Sequence, residues 1–577
     1  MSNPQLQMVI RPETIDDFTY GLDLISSPAQ IPRGGSHNMT NFHPRAFGLE
    51  RKSGYRLVSA GIAGADIGSL EPDRATYGIA TSSGTDSEFA VLPENDVTAR
   101  EVFNASAVSR NLHGAFTRRD PDTGTLELYV NLGVNFYKLQ YVNRAWESIL
   151  LTDGTDPVED GVDLGRPKVL FANADALGKY HREKKVTFTW FRGELWIARR
   201  GYPMRRYRPD KNLFYAAPVD APRPAVLATY EGFLIGADLG AFSYTDSNSN
   251  TVNVPEDPNG LRWSARFNSS QWDDTVSVSA GFKIPSQCHS RILAACATAD
   301  ELVFFHEDEI HSQRYVGGGD IFRTRTITTE TGVLSPTGIV CSLQRVLFLG
   351  KDNIYILSGG EIAPIDSNRH VRDEIFSLDP ETIRLAVAHY DRRNQEVYWY
   401  FPAPDPIVYV FNIPLVNWAR LTFDNRFYNR FPVKFIDLPI TPQNNFHFLG
   451  SDGSIYDVRL DDYTEGGAAF NSTYEFVTDL GTRQVKVLYQ VEISAAGTGK
   501  LTLGYAATNN SELDSFETIY KEVEVEVDKG NHRKIPLVNC AGATGRFFAI
   551  RLSTADALLI RSFSLKYDIE GIMQGGS

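Results

Sequence analysis

Three short segments carry residues whose types and spacing invite chemistry. His306-Glu307-Asp308-Glu309-Ile310-His311 sets two histidines around three carboxylates, close to the H-E-x-x-H pattern in which two rings one helical turn apart bind zinc. Here the separation is five, which on a helix swings the second ring about 100° off the face. The surrounding apolar runs predict a hairpin, so the segment reads as an acidic hairpin tip. Ser451-Asp452-Gly453-Ser454 sits where a sialidase-type Asp box would, but no cluster of arginines with a Tyr/Glu couple can be assigned to it, and Asp-Gly is a favoured tight-turn dipeptide. Gly317-Gly318-Gly319-Asp320 lacks the Lys-Ser/Thr of a phosphate loop and precedes no helix. With 71 acidic residues carboxylate pairs abound and none is singled out for glycoside hydrolysis. No Ser/His/Asp or Cys/His arrangement stands out. The expectation is a chain that is not an enzyme, with no catalytic residue, cofactor or metal.

The strongest charge anomaly runs from His181 to Lys211: Arg182, Lys184, Lys185, Arg192, Arg199, Arg200, Arg205, Arg206, Arg208 and Lys211 stand against Glu183, Glu194 and Asp210. Interleaved Trp190, Phe191, Trp196, Tyr202 and Tyr207 would suit base stacking on a nucleic-acid face. The plainer reading takes the aromatics as core and the cations as a rim that docks an acidic neighbour. On that reading Lys184, Lys185, Arg199, Arg200, Arg205, Arg206 and Arg208 form a partner-contact patch.

These segments must be positioned by a largely β scaffold. Among 577 residues there are 26 Tyr and 34 Phe but only 5 Met, a balance that suits pleated strands. Helical patterns are confined to about His370 to Phe376 and Asp379 to Tyr390, where Pro380 fits a first turn. Phe348-Leu349-Gly350-Lys351-Asp352-Asn353-Ile354-Tyr355 and Phe448-Leu449-Gly450-Ser451-Asp452-Gly453-Ser454-Ile455-Tyr456 share one plan: apolar strand, turn, then Ile-Tyr opening the return strand. Phe233 to Gly240 and Leu302 to Tyr315 are looser copies. Such hairpins, about 40 to 60 residues apart, predict β-propeller blades. From about Thr473 six strand-like segments follow at closer intervals, predicting a β-sandwich. The fold class expected is therefore all-β, a β-propeller core at 111–465 with an additional C-terminal β-sandwich domain at 470–577. Residues 1–110 are expected to form an extended, platform-like segment that is partly propeller.

The formal charge is −14, from 57 Lys+Arg against 71 Asp+Glu, which disfavours a protein that grips nucleic acid over its whole surface. Four cysteines, Cys288, Cys296, Cys341 and Cys540, offer neither a disulfide framework nor a C-x-x-C pair, so a reducing compartment is expected. The first residues lack a basic segment followed by an apolar one, so no signal peptide is expected.

Leu261-Arg262-Trp263-Ser264-Ala265-Arg266-Phe267-Asn268-Ser269-Ser270-Gln271-Trp272-Asp273-Asp274 is followed by the hairpin at 301–310, by Thr331-Gly332-Val333-Leu334-Ser335-Pro336, and by the hairpin at 346–355. Ile365-Asp366-Ser367-Asn368, Tyr398-Trp399-Tyr400-Phe401 and Tyr409-Val410-Phe411-Asn412 with Trp418 complete the series. In this order the blocks resemble the tail hub or nozzle proteins of short-tailed bacteriophages, also called tail tube or stabilisation proteins. Phe18 to Leu24, Pro32 to Ser36 and Arg51 to Tyr55 are similar to the start of such chains, and the likeness spans most of residues 15–425. The resemblance implies a virion protein assembled in the host cytoplasm. It would form a homo-hexameric ring below the head-tail adaptor, line the exit channel for genomic double-stranded DNA, and anchor a tail fibre or tailspike, with no catalytic residues to carry over. The alternative is a carbohydrate-active β-propeller, a sialidase-like hydrolase or a lectin.

Overall fold

The computed structural model describes residues 11–59, 112–132, 135–142, 145–153 and most of 186–569. The segments left out of the last span are 212, 246–249, 276, 285–289, 343, 368–369, 403–405, 423–431, 437–443, 451–454, 460–463, 466–467, 483, 510–520 and 528–536. The described chain is nearly all β, and its centre is a β-propeller, as the hairpin series predicts. Six blades are each made from four consecutive antiparallel strands apart from one inserted hairpin: A (112–153), B (187–216), C (223–283), D (292–328), E (339–364) and F (387–422). A seventh sheet, G, takes three strands from 432–459 and its outer strand from Gly54–Ser59, near the other end of the chain. The propeller ring is thereby closed by its own N-terminal segment.

Local chemistry sets the blade turns. Arg192-Gly193, Glu231-Gly232 and Gly359-Gly360 are the two central residues of tight hairpins in blades B, C and E, and all six have positive φ. A two-residue hairpin needs that conformation at both positions to match strand twist, which is why glycine recurs at the second. The Ile-Tyr plan also holds. Phe348 pairs with Tyr355 in blade E and Phe448 with Tyr456 in blade G, and both pairs stack, with ring centroids 5.6 and 4.8 Å apart.

The C-terminal strands build two sheets over one shared core. One contains Lys486–Gly497, Leu537–Gly545 and Leu558–Ile569; the other contains Ser472–Thr478, Gly499–Thr508, Lys521–Val527 and Phe547–Thr554. Leu488, Val491, Ile493 and Leu565 of the first meet Leu501, Leu503, Ile550 and Leu552 of the second in the core. N-terminal strands are woven into both. Arg11–Ile15, Phe42–Arg45 and Gly48–Arg51 extend the first sheet. Asn38–Thr40 joins the second sheet to Asn417–Thr422 of blade F, making one sheet of eleven strands. The boundary drawn near residue 470 from sequence is therefore crossed by a continuous ladder.

The helical patterns condense to Arg372–Ser377 and Pro380–Arg384, and the rest of the second pattern is the inner strand of blade F, Val387–Asp391. Cys296 and Cys341 are bonded across blades D and E. The cysteine count predicts no disulfide framework, and this single pairing is non-local: the partners are 45 residues apart, and the ring brings the inner strands of successive blades together.

Candidate functional site

The innermost strands of all seven blades converge on an axial cavity of about 520 Å³. Its wall is mainly small or apolar, including Ala115, Val226, Ala294, Val340 and Val387. Among the described residues its charged lining is Arg392 and Lys434, with no Asp or Glu. His389 lies between them with its ring stacked on Phe435, centroids 4.5 Å apart. Burial first, then Lys434 and Arg392, push the imidazole pKa down to about 3, so this ring is neutral at pH 7. A volume of this size suits a small ligand and is far too small for a nucleic-acid duplex.

A second cavity, about 160 Å³, lies where blades F and G meet the strand Phe42–Arg45. Beside it Glu396, 1% exposed, is surrounded by donors. Arg45 makes a buried ion pair with it, the Tyr398 hydroxyl donates at 3.0 Å, the Asn412 amide at 3.3 Å, and His43 Nδ1 is 3.5 Å away. Burial acts to raise the Glu396 pKa, but His43 and Arg45 outweigh it and hold the group down to about 2. Arg45 is anchored in turn by Glu50 at 2.9 Å. A carboxylate so fully paired is a poor proton donor or acceptor at neutral pH; it locks three strands from distant parts of the chain. Nothing local in the sequence marks this cluster, because Arg45 and Glu396 are 351 residues apart.

The hairpin histidines, separated on a helical reading, are brought together in blade D. Phe305 pairs with Ile310 and Phe304 with His311, so His306 and His311 project from the same face with rings 4.3 Å apart. Glu309 turns inward to join them, while Asp308 at the tip pairs outward with Lys351. The tip is thus only partly solvated, which amends the expectation. His306, Glu309 and His311 are all buried, and one ligand atom from each lies within 4.8 Å of the others. Burial lowers both imidazole pKa values, that of His311 to about 3 with a further contribution from His306.

The basic stretch resolves into blade B. Trp196 and Tyr207 are fully buried, as the core reading requires. Arg206 and Arg208 lie 3.6 and 3.7 Å from Glu194 and approach the Tyr215 ring. Arg200 pairs with Asp238 at 3.1 Å and with Glu256; Arg199 is buried over the Tyr202 ring. Arg205 opens the strand Arg205–Arg208, which pairs with Leu213–Ala216. Lys184 and Lys185 lie outside the described residues, as does Ser451-Asp452-Gly453-Ser454. The glycines at 317–319 lie in the turn between two strands of blade D, with positive φ at Gly317 and Gly318. The Trp-rich block is a strap: Trp272 is buried among Phe191 and Trp196 of blade B and Leu227 and Leu234 of blade C, and its carbonyl accepts from Arg262 at 3.3 Å.

No family model matches the chain, and no curated protein does. Solved structures do match. One, described as YCF48 bound to D1 peptide, is similar at a TM-score of 0.33 and 11% identity, over 61% of this chain and 93% of that one. A likeness at that distance carries no argument about function, and the strand pairings establish the propeller by themselves.

Proposed function

We propose that the chain is a structural virion protein, the tail nozzle of a short-tailed bacteriophage, assembled as a ring of six below the head-tail adaptor. The observation that carries this reading is the lacing of the N-terminal segment. Strands from residues 11–59 close blade G, extend one C-terminal sheet and join the other to blade F. Propeller and C-terminal sheets thereby become one continuously hydrogen-bonded body, as a load-bearing wall demands. The axial cavity also fits a scaffold better than a hydrolase, since its described lining presents no carboxylate. The blocks that resemble nozzle proteins act as inter-blade fasteners. Trp272 wedges between blades B and C, and Ser335 and Thr337 each donate to the Ala386 carbonyl at 2.7 Å, tying the start of blade E to blade F.

In this proposal the DNA passes between subunits, along a channel enclosed by the ring, and not through the propeller's own axis. Six chains at −14 each give a wall that repels phosphates, so the duplex slides without being held. Loops at the distal opening gate the channel, and the basic stretch of blade B lies at a contact with the adaptor, a fibre or a spike. Sedimentation of the purified chain tests this: a species of six times 64.4 kDa supports it. A monomer that cleaves or binds glycans overturns it in favour of the carbohydrate-active reading.

A further inference from the structure

We propose that the tip of the central hairpin of blade D binds one divalent transition-metal cation of the zinc class, through Nε2 of His306 and Nε2 of His311, with the Glu309 carboxylate beside their Nδ1 edges, 3.9 and 4.0 Å away, supporting the rings and offsetting the charge. The two Nε2 atoms lie 3.3 Å apart. Two nitrogens each about 2.0–2.1 Å from a tetrahedral zinc ion are separated by about 3.3–3.4 Å, so the rings already stand at ligand spacing.

The tautomers argue the same way. His306 Nδ1 is 2.9 Å from the Ser290 carbonyl oxygen, which can only accept, so the proton sits on Nδ1 and the lone pair on Nε2 faces His311. A ring nitrogen that donates to a backbone carbonyl while the other points at a shared centre is the usual second-sphere support of a metal-bound histidine. Without a cation, neutral His311 must donate from Nε2 to His306. Its Nδ1 is then a bare lone pair, fully buried and without a hydrogen-bond partner, with the Glu309 carboxylate 4.0 Å away. A buried polar atom in that state is costly. With a cation both Nε2 lone pairs coordinate, the proton of His311 moves to Nδ1, and it points toward Glu309. One ion thus removes the mismatch on both rings and is partly neutralised by the carboxylate.

Gln313, two residues beyond His311 and on the same face of its strand, is also fully buried with both amide atoms unpartnered. Two imidazole ligands favour zinc and its neighbours over magnesium or calcium, which prefer all-oxygen shells. The site is enclosed, so its role is to pin the hairpin against its blade.

The test uses the full-length protein, stripped with a chelator and dialysed, then titrated with Co²⁺ as a spectroscopic stand-in for Zn²⁺. The expected result is one equivalent bound with visible d–d bands, together with a metal-dependent rise in melting temperature. Glu309→Gln, which keeps both rings, should weaken binding about 10- to 100-fold, and His311→Gln should abolish the spectrum. If the folded wild-type protein shows neither the bands nor a metal-dependent melting shift, or if His311→Gln folds and binds undiminished, the pair is a hydrogen-bonded couple and the proposal fails. None of these readings depends on ring formation.

Discussion

Replacing Arg45 with methionine removes the cation from a carboxylate that is only 1% exposed. Glu396 keeps the Tyr398 hydroxyl, the Asn412 amide and the His43 ring, but none of these carries the permanent charge of a guanidinium. Breaking a buried pair by deleting one partner costs about 3–5 kcal/mol, whereas replacing both partners by apolar groups recovers most of the loss. Linkage gives a second estimate. The Glu396 pKa is held down to about 2, below its unfolded value, so the pairing contributes stability above about pH 4.5 that is lost as pH falls toward 2. Full loss amounts to about 3 kcal/mol. Arg45→Met should therefore destabilise by about 3–5 kcal/mol at pH 7, the gap from wild type should narrow between pH 4.5 and 3, and Arg45→Met/Glu396→Leu should be more stable than the single variant. Urea unfolding followed by tryptophan fluorescence reads all three, with Trp399 of blade F beside the cluster in sequence. An Arg45→Met variant within about 0.5 kcal/mol of wild type at pH 7, or a gap that widens in acid, would refute the reasoning.

Other expectations follow from the same kind of reading. His389 is neutral in the fold with its pKa down to about 3, so as pH falls below about 6.5 the unfolded chain gains a proton that the fold refuses, and stability drops by about 1.4 kcal/mol per pH unit from this ring. His389→Phe, which keeps a ring against Phe435, should flatten the pH dependence of urea midpoints between pH 6.5 and 5. Trp272→Ala empties the space between blades B and C and should cost about 3–5 kcal/mol, measured in the same unfolding experiment. Asp366 accepts from the backbone N–H of His370, Val371 and Arg372 at 2.7, 2.9 and 2.9 Å. Asp366→Ala should speed hydrogen exchange at those three amides while leaving blades A to D protected.

The propeller is legible in the sequence because its information is local. Phe348 to Tyr355 and Phe448 to Tyr456 each contain a strand, a turn and a return strand, and the fold turns both into stacked aromatic pairs. The alternation of Glu522, Glu524 and Glu526 with Val523, Val525 and Val527 likewise becomes a strand with exposed carboxylates. What escapes is non-local. Closure of blade G depends on Gly54–Ser59, hundreds of residues from its partner strand. The Glu396 cluster and the Cys296–Cys341 bond join segments with no shared pattern. The histidine pair escapes for another reason: spacing of five excludes a helical metal motif, yet in a hairpin with Phe305 opposite Ile310 the same spacing puts both rings on one face. Blade B is another case: Glu194 is visible within the basic stretch, but its approach to Arg206 and Arg208 depends on strand pairing that composition does not give.

The central claim is that this chain forms the wall of a tube, and electron microscopy of the purified full-length protein tests it most directly. The account predicts rings of six subunits around an axial channel wide enough for a DNA duplex, with each propeller set in the wall and its own narrow cavity off the ring axis. Monodisperse single propellers, or rings whose only openings are the propeller cavities themselves, would contradict it.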